Sequence, residues 1–250
     1  MSENARPGPP RKSADDDLLA DQRAFYRQRA PEYDEWWQHR GRYDRDKDMA
    51  RDWDQQVEEI AVALESFGPS GDVLELAGGT GWWTARLART AENLTVVDAS
   101  PEVLDINRDR VGSRPNVTYV VADLFEWRPE HSYDVVFFSF WLSHVPRARF
   151  SSFWHLVGTC LRPGGRVFFI DNRRDGTLAT IDPYVFEEAH DVQRRKLNDG
   201  SEHRVVKIFY EPDQLTRRLN SEGWEADVVG TRWFVFGSAR PNERLTVPST

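Results

Sequence analysis

The chain is poor in cysteine, with Cys160 its single thiol. An intramolecular disulfide framework and a thiolate-rich zinc site are thereby excluded, no metal site is expected, and a reducing cytoplasm fits best. No apolar run approaches the roughly eighteen residues of a membrane span, and the N-terminus lacks the apolar stretch of a secretory signal. A protein that stays in the cell and off the membrane is the expectation. Positive charge is also short. Lysine and arginine number 33 against 41 acidic residues, a net charge of −8, which argues against a polyanion-binding surface and so against nucleic acid as a partner. What is present is a chain of 250 residues, 39% hydrophobic, enough for one substantial core.

Residues 1–16, "MSENARPGPPRKSADD", show no apolar periodicity and read as a disordered tail. Residues 17–46 mix aromatics with charges around Pro31 and read as an N-terminal helical cap. Met49, Trp53, Val57, Ile60, Ala61, Leu64 and Phe67 recur three and four apart, a helix with one apolar face that "GPSG" ends. The sheet core is expected to start with that helix, leaving the cap separable. Apolar runs at 73–76, 94–97, 117–121, 135–140 and 167–170 then read as strands buried on both faces, with helices at about 81–90, 101–111 and 147–161 between them. Trp53 and Trp154 fall on helical apolar stripes and read as core. "HRVVKIFY" reads as a further strand, "EPDQLTRRLNSEG" as a helix, and "EADVVG" with "TRWFVFGSA" as a closing antiparallel pair. The main domain spans 47–240, with a polar insert at about 172–203 carrying Tyr184, Phe186 and His190, and 241–250 is a second tail. The insert is either a lid over the site or a surface loop with a helix. Strands alternating with helices imply an α/β, Rossmann-like doubly wound sheet, mostly parallel and seven-stranded with an antiparallel edge strand, whose ligand lies beyond the strands' carboxyl ends.

One such end is "VLELAGGTGWWTARL". Aligned on Gly79 and Gly81, the dinucleotide fingerprint puts its third glycine at Thr84, and no Gly-Lys-Ser/Thr makes a P-loop. A pyrophosphate is disfavoured. An adenosine joined to an amino acid needs backbone room and acids for its ribose hydroxyls and ammonium, and Glu75 and Asp98 end adjacent predicted strands. Asp123, after the third strand, is placed to accept from an adenine amine.

Here the sequence resembles the class I S-adenosylmethionine-dependent methyltransferases, over roughly residues 70–171. Glu75, Ala77, Gly79 and Gly81 fill that family's acid-x-Gly-x-Gly-x-Gly turn, with Ala77 in place of a glycine and Gly78 beside it. The resemblance implies S-adenosyl-L-methionine as cofactor, Asp98 on the ribose with Ala99 alongside, and Asp123 with Leu124 at the adenine. Ser139, at the end of the fourth strand, joins the set of cofactor contacts. "AFYRQRAPEYDEWW" resembles the cap in which some small-molecule methyltransferases lay a tyrosine over the cofactor, a role for Tyr26 or, ahead of it, Tyr33. Trp82 and Trp83 read as packing at a helix start.

Methyl transfer from a sulfonium is an in-line displacement, and alignment alone supplies about 7–11 kcal/mol in favourable cases. A base is required only for a nucleophile that arrives protonated. His144, after the fourth strand, is the candidate base, and His144 and Tyr33 form the catalytic set. Asp171 and Asn172 either orient a polar acceptor or cap a turn. The expected activity is methylation of a small molecule at oxygen or nitrogen. The alternatives are a nicotinamide-dependent oxidoreductase and a regulatory protein that binds S-adenosylmethionine without turnover.

Overall fold

The computed structural model describes residues 14–174, 185–189 and 191–242. Tyr184 and His190 lie outside them, as do 1–13 and 243–250, which make up most of the two expected tails. The strands are β1 (Gly71–Leu76), β2 (Ala91–Asp98), β3 (Val117–Val121), β4 (Tyr133–Ser139) and β5 (Leu161–Asn172), followed by β6 (Val185–Ala189), β7 (Val192–Lys196), β8 (Glu202–Val206), β9 (Trp224–Gly230) and β10 (Phe234–Pro241). The helices are α1 (Ala14–Arg29), α2 (Tyr33–Trp37), α3 (Lys47–Phe67), α4 (Thr84–Leu87), α5 (Pro101–Val111), α6 (Phe150–Thr159) and, after β8, α7 (Pro212–Ser221).

Seven strands form one sheet in the order β3-β2-β1-β4-β5-β10-β9. Pairing is parallel from β3 to β5, and β10 lies antiparallel between β5 and β9. The central strands run as apolar stretches because both faces are covered, whereas β3, expected to be buried on both faces, is an edge strand with Val121 53% exposed. Val73, Val96, Phe137 and Ile170 face one cluster with Trp53, Ile60 and Leu64 of α3. Leu74, Val97, Phe138 and Phe169 face the other with Trp154 of α6 and Leu215 and Leu219 of α7. Trp53 and Trp154 are each 1% exposed, the core positions their stripes predict. A tryptophan so buried removes about 150–250 Å² from water, roughly 4–6 kcal/mol of transfer free energy. Helix α3 starts where the Asp46 side chain accepts from the Asp48 and Met49 amides, and it stops at Gly68 in the left-handed conformation.

Several expectations are corrected. Helix α1 begins at Ala14, inside the segment read as tail; Asp15, Asp16 and Asp17 open it and Arg27 and Arg29 close it, both signs complementing the helix dipole. The helix expected at 81–90 shrinks to α4, because left-handed Gly79 and Gly81 prolong the turn and β2 starts at Ala91. The 147–161 segment opens with a 3-10 turn at Arg147–Arg149 before α6. β8, read as part of a further strand, joins a separate antiparallel sheet, β6-β7-β8. The described part of the insert is therefore strand, not a loop with a helix. Phe25 of α1 packs with Leu197 and Val205 in a small cluster of its own over this sheet. The cap is also less separable than expected: Trp36 and Trp37 lie edge-on to Trp53 at 5.2 and 6.4 Å and to Phe140 at 5.2 and 5.8 Å.

Candidate functional site

After β1 the chain goes outward to β2 and β3, then returns to β4 on the other side of β1. A doubly wound sheet opens its ligand crevice at that reversal. Both central strands leave it in left-handed backbone on non-glycine residues, Ala77 (φ 54°) and Phe140 (φ 55°). Each costs about 1–2 kcal/mol, strain of a kind that gathers at ligand sites. Between them lies a solvent-open cleft of about 790 Å³.

The glycine turn forms one wall. A Cβ on Gly78 would stand 2.2 Å from Val96 Cγ1, and one on Gly81 would stand 2.8 Å from the Asn107 side chain, so packing requires both glycines. Gly79 differs: at φ 56° its Cβ would meet nothing nearer than Ala77 O at 3.9 Å and would enter the cleft. Asn107 of α5 braces the turn from below, its two Nδ2 hydrogens shared among Gly78 O (3.2 Å), Gly79 O (3.0 Å) and Thr84 Oγ1 (2.8 Å). Asp34 of α2 holds the outside, accepting from Thr80 Oγ1 (2.8 Å), Trp82 Nε1 (3.1 Å) and Arg110.

Asp98 lines the cleft. Its Oδ2 accepts from the Gly79 amide at 3.1 Å and its Oδ1 from the Ser100 amide at 3.0 Å. Burial raises its pKa, and the Ser100, Gly79 and Ala99 amides oppose the rise. Ser100 is the cap of α5, its hydroxyl accepting from Val103 N at 3.2 Å, so capping does not account for Asp98. Asp98→Ala is expected to weaken S-adenosylhomocysteine binding by about 1.5–3 kcal/mol, the size of charge-assisted bonds to ribose hydroxyls. An unchanged dissociation constant by calorimetry would reduce Asp98 to a support for the Gly79 amide.

Tyr26, Tyr33, Ala77, Gly79, Asp98, Ala99, Asp123, Leu124, Ser139 and His144, all named from sequence, line this cleft. Gly78, Gly81 and Glu75 do not; they lie behind the turn. Glu75 is 1% exposed and neither carboxylate oxygen has a hydrogen-bond partner. Burial pushes its pKa up to about 8; the nearby Thr84 hydroxyl pulls the other way, short of a formed hydrogen bond. Trp83 is buried core and Trp82 is bound to Asp34, which agrees with reading them as packing.

His144 ends a 3-10 turn at Leu142–His144. Its Nδ1 lies 2.6 Å from Val206 O, and a carbonyl only accepts, so Nδ1 carries the proton. Nε2 is then the acceptor of the Tyr26 hydroxyl at 2.7 Å. Burial, then Lys207 and Arg195, hold the imidazole pKa well below 6.5. Burial raises the Tyr26 and Tyr33 hydroxyls. Behind His144, Lys207 Nζ donates to Ser143 Oγ (2.7 Å) and reaches Asn172 Oδ1 (3.3 Å) and Asp171 Oδ1 (3.5 Å). Asp171 Oδ2 accepts from the Ser143 amide at 2.8 Å. Burial brings Lys207 down to about 8 against the pull of Asp171. Asp171 and Asn172 thus brace the His144 turn and do not line the cleft.

Sequence reasoning named Tyr26 of α1 and missed the rest of that helix's face. Leu19, Gln22, Arg23 and Tyr26 line the cleft at i, i+3, i+4 and i+7, one helical face, and that spacing was the available signal. Gln22 ties the helix down, its Oε1 accepting from Val206 N at 2.9 Å and its Nε2 donating to His144 O at 3.2 Å.

The residues present fit S-adenosylmethionine. A buried acid without a partner lies under the turn, Gly79 leaves cleft space that a side chain would fill, and Asp98 and Asp123 stand at successive strand ends. The family described as "Methyltransferase domain" matches residues 73–165. In structure the chain resembles DhpI in complex with SAH: 35% identity, a TM-score of 0.74, and coverage of 91% of this chain and 98% of that one. In sequence it is 30% identical over 181 residues to the ubiquinone/menaquinone biosynthesis C-methyltransferase UbiE of Vibrio campbellii, covering 66% of this chain and 67% of that protein. It is 24% identical over 135 residues to malonyl-[acyl-carrier protein] O-methyltransferase 2 of Ilyobacter polytropus, and that match spans about half of each, 51%. The solved relatives carry S-adenosylhomocysteine or S-adenosylmethionine where the oxidoreductase alternative called for a nicotinamide. The fold is Rossmann-like, the cofactor is S-adenosylmethionine, and the chain belongs to the class I S-adenosylmethionine-dependent methyltransferases.

Proposed function

We propose that this enzyme methylates an oxygen of a small molecule that arrives already ionised. The relatives' names span carbon, oxygen and nitrogen acceptors, so the choice of atom rests on the site. The observation that carries it is the state of His144. Its free nitrogen is taken by the Tyr26 hydroxyl, and burial among Lys207, Arg195 and Arg29 opposes any proton added to the ring. A base so weak at neutral pH gives little general-base catalysis. The same cations favour a negatively charged acceptor and disfavour an amine, which gains positive charge as it is methylated.

Bound S-adenosylmethionine supplies the electrophilic methyl group. The protein's part is to hold the reactants in line and exclude water. Asp98 would hold the ribose and Asp123 and Leu124 the adenine, Glu75 would act on the ammonium from behind the glycine turn by its charge rather than by contact, and Tyr33, with Ala99 and Ser139, would enclose the sulfonium end. His144 acts as a positioning residue that fixes Tyr26 in the wall of the cleft, in place of the proton abstraction its sequence position suggests.

The test is methyl-labelled cofactor offered with matched panels of oxyacids, phenols and amines. Label is expected in the oxyacids as ester, at a rate nearly flat from pH 6 to 8 when the cofactor is saturating at each pH. Preferential labelling of amines, with a limb near pH 6.5 that disappears in His144→Ala, would restore the histidine as base and overturn the oxyanion reading.

A further inference from the structure

Helix α1 closes one side of the cleft, and charge pairs hold it there. Asp16 lies 3.0 Å from Arg149 before α6, Arg23 lies 2.6 Å from Asp123 after β3, and Arg27 lies 3.5 Å from Glu102 at the start of α5. Each pair joins the helix to a different loop at the sheet's carboxyl edge. The middle pair falls on a functional atom. Asp123 Oδ1 already accepts from the Phe125 amide at 2.9 Å, and Arg23 Nη1 takes Oδ2, the oxygen left for an adenine amine.

We propose that Arg23 is a gatekeeping residue of the cofactor site: it pairs with Asp123 and must release it before the adenine is seated. The proposal rests on the reading of Asp123 as the adenine acceptor. An N–H from neutral adenine makes a weaker bond to a carboxylate than a guanidinium does, so adenine does not displace Arg23 by that contact alone. The exchange needs the guanidinium to leave. Nothing sterically prevents this, since the Arg23 side chain is 43% exposed and its long stem can carry the charge into solvent, while the Asp123 carboxylate, 19% exposed, stays in the cleft. The barrier to entry is therefore partly an ion pair, and ion pairs at the surface weaken with salt. S-adenosylhomocysteine carries one ammonium and one carboxylate, so its own long-range attraction to the protein changes little with salt.

The test is stopped-flow tryptophan fluorescence of S-adenosylhomocysteine binding, with Trp141 in the cleft as reporter, at low and at high sodium chloride. Wild type is expected to associate faster as salt rises. Arg23→Met, which keeps most of the stem, is expected to associate about three- to fivefold faster than wild type at low salt, the range an exposed pair supports, and to lose the salt acceleration. Its dissociation rate should stay within about twofold, because in the bound state the guanidinium has already left. Arg23→Gln should behave alike, and Arg27→Met, which removes a pair that does not involve Asp123, should keep the wild-type salt response. Association of Arg23→Met at the wild-type rate, or a loss of affinity through faster dissociation, would overturn the gate. Wild-type protein that binds no S-adenosylhomocysteine would overturn the adenine reading and the gate with it.

Discussion

Gly79→Val is expected to abolish measurable binding of S-adenosylhomocysteine while leaving a folded protein. Two effects act together. At φ 56° an L-residue sits in the left-handed region, at a cost of about 1–2 kcal/mol, and a β-branched side chain fits it worse still. The side chain itself points where no protein atom stands within 3.9 Å, into the cleft, so the turn tolerates it and the ligand does not. The Gly79 amide also donates to Asp98, and a shifted turn would misplace that acid. Calorimetry should show no saturable heat, with the melting transition still cooperative and lowered by a few degrees. Gly79→Ala should lose only part of the affinity. A folded valine variant that binds normally would remove the glycine turn from the cofactor site.

The second large effect concerns Glu75, whose pKa moves from 4.5 to about 8 by burial. Between those values the folded protein keeps a proton that the unfolded chain has lost. The stability this residue contributes is therefore full below pH 4.5 and is lost as the pH rises through about 8. On the proposed role of Glu75, the charge of a cofactor ammonium would reverse the preference, favouring the ionised carboxylate and expelling the proton. Affinity should accordingly climb from pH 6 to 8 by up to about tenfold and then level off. Glu75→Gln should flatten that profile, stabilise the ligand-free protein at pH 8, and weaken binding there by about tenfold, the size of a charge acting through the turn rather than in contact. Titrations in buffers of different ionisation heat would report the proton released; a wild-type affinity that does not vary with pH would sink the assignment. His144 acts with the opposite sign. Its depressed pKa leaves it neutral when folded, so the stability it contributes is present above pH 6.5 and is lost below it as the unfolded chain takes up protons.

How much of this the sequence disclosed depended on whether the information was local. Apolar runs separated by helical stripes revealed the sheet, and acids placed just after those runs, Asp98 and Asp123, revealed the cleft, because strand ends are where a doubly wound sheet opens. What stayed hidden was carried by contacts between distant segments. Asp34 bonds to Thr80 and Arg23 to Asp123, and no periodicity announces such partners. "HRVVKIFY" announced a strand without announcing its sheet, since alternation does not say which edge a strand will join. Asn107 is an instructive middle case. Its side chain shares the buried face of α5 with Val103, Leu104 and Val111, and its task, bracing the glycine turn, required knowing that α5 passes beneath it. His144 was visible as a position, and its tautomer was not, because that depends on Val206 and Tyr26.

The placement of β10 bears on how the chain is made as well as how it works. Trp53 on α3 is covered by Trp233 and Phe234, and the Trp233 indole donates to Asp52 across 181 residues of sequence. On a ribosome, α3 and the parallel strands emerge long before that cover does. From the completion of β5 until β10 is made, the aromatic face of α3 and the unpaired edge of β5 stand open together, the kind of surface on which nascent chains stick to one another or to a chaperone. The sheet closes only when the strand between β5 and β9 arrives, so the cover of α3 is completed from a segment far in sequence from the glycine turn.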